Sequence, residues 1–86
     1  RAPDRGGPVM SGVHADPVQV ASLLRMANQI ASNYRHKPHD LAVASVEAHL
    51  RDFWAPSMRV HLTEWMDADG QGLDPIAADA LDRLRA

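Results

Sequence analysis

Apolar residues recur at three- and four-residue intervals in four stretches of the chain, and each stretch predicts an amphipathic helix. In the first, Val20, Leu23, Leu24, Ala27, Ile30, Ala31 and Tyr34 share a face. Asp16 suits the N-cap, and Pro17 suits the first helical position, where its missing N–H is not needed. Arg35, His36 and Lys37 fall in the expected last turn, where positive charge complements the helix dipole, and Pro38 marks the stop. The second stretch runs from Asp40 to Trp54, with Val43, Val46, Leu50, Phe53 and Trp54 along one side. Glu47 and Arg51 have the spacing of an i,i+4 ion pair. Phe53 and Trp54 point about 100° apart, so one neighbour cannot easily cover both, and one of them is expected to face a partner. The third, Pro56 to Met66, gathers Met58, Leu62, Trp65 and Met66, with Gly70 in its C-cap region. In the fourth, Asp74 caps and Pro75 opens a helix carrying Ile76, Ala77, Ala80, Leu81 and Leu84, with Asp79 and Arg83 spaced to pair. No stretch alternates long enough to predict a strand. The expected fold is all-α, a small bundle of three to four short helices over residues 16–86. An irregular tail over residues 1–15 precedes it, where Pro3, Gly6, Gly7, Pro8 and Gly12 break regular structure.

Composition narrows the function. A chain of 86 residues makes one small domain, and with aromatics at 5% few large side chains are available to fill a core. Docking on a larger protein would relieve that shortage. The formal charge of −2 argues against nucleic-acid binding, which calls for a basic stripe. No apolar run approaches the roughly 20 residues that span a bilayer, so no membrane anchor is expected. The opening residues lack the apolar stretch of a secretory signal, which makes cytoplasmic residence the expectation. With no cysteine in the chain, disulfides, thiolate nucleophiles and cysteine-held iron–sulfur or zinc sites are excluded.

Candidate chemistry is sparse. Asp67, Asp69, Gln71 and Gly72 match the opening of a calcium-binding EF-hand loop, but the twelfth position falls on Ala78, where a bidentate Glu is needed. An acidic, glycine-rich connector between helices accounts for the same residues. A standalone helix–loop–helix module with a degenerate calcium loop at Asp67–Gly72 is the alternative functional reading. His36, His39 and Asp40 stand close together, yet Pro38 interrupts any shared helical face, so they read as ordinary polar residues near a helix end. His49, three residues before Asp52, reads as a partly exposed helix residue. There is no Gly-x-Ser-x-Gly elbow and no phosphate loop, and no catalytic, cofactor-binding or metal residue is assigned.

A recognition surface fits better. The first predicted helix carries Ser22, Arg25, Gln29 and Ser32 in a neutral polar stripe with Asn28 and Asn33 beside it, and Arg25 is the one charge between Pro17 and Tyr34. Interface cores are depleted in charge but enriched in Arg, while an uncharged solvated face would look the same. Trp54, Trp65 and Met58 have the spacing of core residues and also the character of anchors.

Three segments then stand together: Arg25-Met26-Ala27-Asn28-Gln29-Ile30, His49-Leu50-Arg51-Asp52-Phe53-Trp54-Ala55-Pro56-Ser57-Met58-Arg59, and Gly72-Leu73-Asp74-Pro75. In this order and spacing, from about Val20 to the C-terminus, the chain resembles the delta subunit of NAD-dependent, molybdenum- or tungsten-containing formate dehydrogenases. The middle segment is the most specific. The resemblance implies a non-catalytic accessory subunit of a cytoplasmic complex that oxidises formate to carbon dioxide. In that family the alpha subunit holds the bis-molybdopterin guanine dinucleotide centre and several Fe–S clusters. Beta and gamma subunits carry FMN, further clusters and the NAD site. The delta subunit would bind the alpha subunit directly, support its assembly or stability, and carry no cofactor itself. On this reading Arg25, Asn28 and Gln29 supply hydrogen bonds to the alpha subunit, and Trp54, Met58 and Arg59 supply an apolar and charged anchor.

Overall fold

The computed structural model describes residues 17–85. Four helices follow one another: α1 (Pro17–Asn33), α2 (His39–Phe53), α3 (Pro56–Asp67) and α4 (Pro75–Arg85). Among the described residues there is no strand. The expected tail and the Asp16 cap lie outside the described residues, as does His14.

Each helix buries part of the stripe its spacing predicts. Val20, Leu23, Ala27 and Ala31 of α1 are buried, as are Ala42, Val43, Val46 and Leu50 of α2, Leu62 of α3, and Ile76, Ala77, Ala80 and Leu81 of α4. The largest fully buried side chains are Leu50, Leu62, Leu81, Val43 and Val46. The scarcity of aromatics is thus met with alanines, whose short side chains let helix backbones approach one another. The most extensive interface joins α2 to α4. Leu24, Ile30, Tyr34, Met58, Met66, Leu73 and Leu84 pack around the rim of the core.

Three local expectations change. First, α1 stops at Asn33, so Arg35, His36 and Lys37 lie past the helix in a turn closed by Lys37 N–H donating to the Tyr34 carbonyl (3.0 Å). Arg35 instead reaches across to pair with Asp74. Second, the residues spaced for i,i+4 ion pairs find other partners. Glu47 pairs with Arg83 (3.5 Å) and His39 meets Asp79 (2.7 Å), while Arg51 sits against Asp52 (3.3 Å). An i,i+4 pair within a helix is worth only a few tenths of a kcal/mol, so a side chain near a facing helix goes where tertiary packing brings it. Third, α2 ends at Phe53, and the extended backbone of Trp54 (φ −93°, ψ 140°) swings the indole into the core while Phe53 points out. Gly70 lies in the C-cap region of α3 as expected, with Asp69 (φ 61°), one position before it, in the left-handed conformation.

That last turn is a Schellman motif. Gly70 N–H donates to the Trp65 carbonyl (2.8 Å) and Asp69 N–H to the Met66 carbonyl (3.0 Å). Gly70 is required for a different reason: a Cβ there would lie 2.2 Å from the Trp65 indole, which folds over the loop. The indole N–H also donates to the Gln71 carbonyl (3.0 Å). Asp74 then caps α4 as expected, its Oδ1 accepting from Ile76 N–H (2.8 Å), with Pro75 at the first helical position.

Candidate partner-binding face

On α1, residues 25, 26, 29 and 30 lie on one side of the helix, and against them comes the C-terminal turn of α2. Arg25, Met26, Gln29, Ile30, His49 and Trp54 line an open groove of about 490 Å³. Phe53 stands next to Trp54 with 76% of its surface exposed, against 6% for Trp54. The Phe53 ring leans on His49 one turn earlier, with centroids 5.0 Å apart. Met26 is also exposed, at 44%. Arg25 donates to Ser22 Oγ (3.2 Å) and has no carboxylate partner among the described residues. Gln29 makes long contacts to Ser32 Oγ and Asn33 Oδ1 (both 3.5 Å).

The six residues assigned from the sequence do not share one surface. Arg25, Gln29 and Trp54 meet at the groove, but Trp54 does so as a core residue showing little of itself. Asn28 is turned inward to the α3–α4 loop: its amide donates to the Gly72 carbonyl (2.7 Å) and its oxygen accepts from Asp74 N–H (2.8 Å). Met58 packs against the core. Arg59 Nη1 donates to the Leu50 and Arg51 carbonyls (3.3 and 3.4 Å) and so caps α2. Met26 is a further exposed residue of this face, beyond those assigned from the sequence. The signal for Met26 was its i,i+4 spacing with Ile30, a second apolar stripe beside the core-facing one.

The loop with the EF-hand likeness is engaged in holding the fold. Asp67 receives two hydrogen bonds from Arg85 (2.8 and 2.9 Å), and Gln71 donates to the Asp69 carbonyl (3.1 Å). These contacts, with Asp67 first and Asp82 second, hold the Arg85 guanidinium above the ordinary arginine pKa. Among the described residues no group of three or more His, Asp or Glu side chains comes together to hold a metal. With no thiolate in the chain either, nothing described here fits an iron–sulfur cluster or a molybdenum centre. No helix among the described residues is long and apolar enough to cross a membrane.

These features define a small all-α domain whose distinguishing residues lie on its outer faces. The chain belongs to the family of the NADH-dependent formate dehydrogenase delta subunit FdsD, whose model matches residues 22–81. That span takes in α1 from its second turn, all of α2 and α3, and most of α4. No curated protein and no solved structure matches the chain.

Proposed function

We propose that the chain is a non-catalytic accessory subunit of a cytoplasmic NAD-dependent formate dehydrogenase, held on the molybdopterin-bearing alpha subunit by the α1–α2 face. Beta and gamma subunits complete the complex and, with the alpha subunit, carry its FMN, iron–sulfur clusters and molybdenum or tungsten centre. The observation that carries this reading is Phe53, three-quarters exposed and next to His49 and Trp54 of a groove whose lining carries one formal charge, Arg25. A large exposed aromatic next to a groove that holds Met26, Ile30, Gln29 and a lone Arg25 is the pattern of an interface anchor. Burying a Phe side chain is worth about 1.5–3 kcal/mol. Arg25 and Gln29 supply the hydrogen bonds at its edge. By mass action, a subunit that binds only the assembled form of the alpha subunit raises the population of that form.

The test is co-purification of the chain with the alpha subunit. Phe53→Asp places a charge where the apolar anchor sits and is expected to abolish co-purification, with the helical circular-dichroism signal intact. Arg25→Ala is expected to weaken it. Undiminished co-purification of the Phe53→Asp chain would refute the reading. Trp54→Ala is a poorer probe, since it opens the core as well as the groove.

A further inference from the structure

A second groove, of about 380 Å³, lies between α3, α4 and the C-terminal turn of α2. Its floor is Leu81 and Leu84, Val60 stands at its side with 49% of its surface exposed, and Arg51, Arg59 and Arg85 surround it. No aspartate or glutamate lines it, in a chain whose acidic residues outnumber its Lys and Arg by 11 to 9. Arg51 rests against Asp52, and Arg85 is held by Asp67 and Asp82. Arg59 differs. Its Nη1 is fixed by the Leu50 and Arg51 carbonyls, and its Nε and Nη2 donate to no acceptor among the described residues. That Nε–Nη2 edge is one on which a guanidinium binds a carboxylate with two parallel hydrogen bonds. Because Nη1 is already anchored, little side-chain freedom remains to be lost on binding.

We infer that this groove docks a segment of the dehydrogenase's large subunit in which a carboxylate side chain neighbours an apolar one, the carboxylate on Arg59 and the apolar group on Val60 and Leu84. The inference rests on the accessory-subunit reading and adds a second, chemically distinct contact. Arg51 and Phe53 are two residues apart on α2, hence about 200° around it, so the two docking faces lie on opposite sides of that helix. The domain is then gripped from both sides, one contact apolar and the other charge-directed.

Two measurements on the full chain test this. Phenylglyoxal, which modifies accessible guanidinium groups, is applied to the dehydrogenase complex and to the isolated chain, with rates taken relative to Arg83 on the Glu47 side of α4. Arg59 is expected to react about tenfold more slowly in the complex, as for a group desolvated in an interface. Val60→Glu, which sets a like charge beside the incoming carboxylate, is expected to weaken association about tenfold at low salt, while Val60→Lys does not. Equal Arg59 reactivity in both states, or equal behaviour of the two Val60 variants, with the chain still bound, overturns the groove and leaves the α1–α2 reading standing. Failure of the unaltered chain to bind the dehydrogenase overturns both. A dimer of the isolated chain, seen by light scattering and broken by Val60→Glu, overturns the inference in favour of self-association.

Discussion

The α2–α4 interface and the α1–α2 face are built from the same kind of amphipathic helix, yet one is finished within the chain and the other is not. Between α2 and α4, Ala42, Val43, Val46, Ala77, Ala80 and Leu81 are all but wholly removed from water, and Glu47–Arg83 and His39–Asp79 bridge the edge. On the α1–α2 side, Met26 and Phe53 stay in solvent, and the groove that Arg25, Gln29 and His49 line carries one formal charge. Solvated helix faces ordinarily carry mixed charge. A groove with exposed apolar residues and a single charge departs from that pattern in the way interface cores do. The difference separates residues that hold the domain together from residues available to a neighbour.

The comparison breaks most sharply at Leu81. Leu81→Ala removes a fully buried side chain from the α2–α4 interface and is expected to lower unfolding stability by about 2–5 kcal/mol in urea titration. A loss no larger than that of a surface change would show that this interface is not the core. Next comes Gly70→Ala. The added Cβ meets the Trp65 ring, so the indole must shift, at an expected cost of about 1–3 kcal/mol, with Trp fluorescence reporting the movement. Asn28→Ala leaves Asp74 N–H without its acceptor and frees the α3–α4 loop from α1. A loss of about 1–2 kcal/mol is expected, with faster amide exchange over residues 70–74. The smallest effect belongs to the other side of the comparison. Phe53→Ala should change the stability of the isolated chain by no more than about 0.5 kcal/mol, as exposed positions do. A loss approaching that of Leu81→Ala would mean that Phe53 is part of the fold after all, and that the α1–α2 face is not reserved for a partner.

Much of this was legible one helix at a time. Pro17, Pro38, Pro56 and Pro75 punctuate the chain at helix boundaries, and the apolar spacing places the buried stripes to within a residue. Asp74 was recognisable as a cap because capping is a contact between residues two or three apart. The adjacency of Phe53 and Trp54 signalled that one would be left outside, though not which. That choice rests on the extended backbone at Trp54, where α2 ends and α3 has yet to begin. Asn28 looked like part of a recognition stripe because its two partners, Gly72 and Asp74, lie more than forty residues further along. Gly70 was legible as a C-cap residue, but the Trp65 ring lying over it and the left-handed backbone at Asp69 were not, since both depend on how the loop closes.

The sequence by itself determined the helical class, the four helices, the Asp74 cap and the absence of any thiolate chemistry, because periodicity, capping and composition act over a turn of chain or less. Only the tertiary structure decided which charges pair, which aromatic is buried, and where two unlike grooves open on either side of α2. Those outcomes depend on which helices come to lie side by side, and that is settled when all four stripes close on a single core.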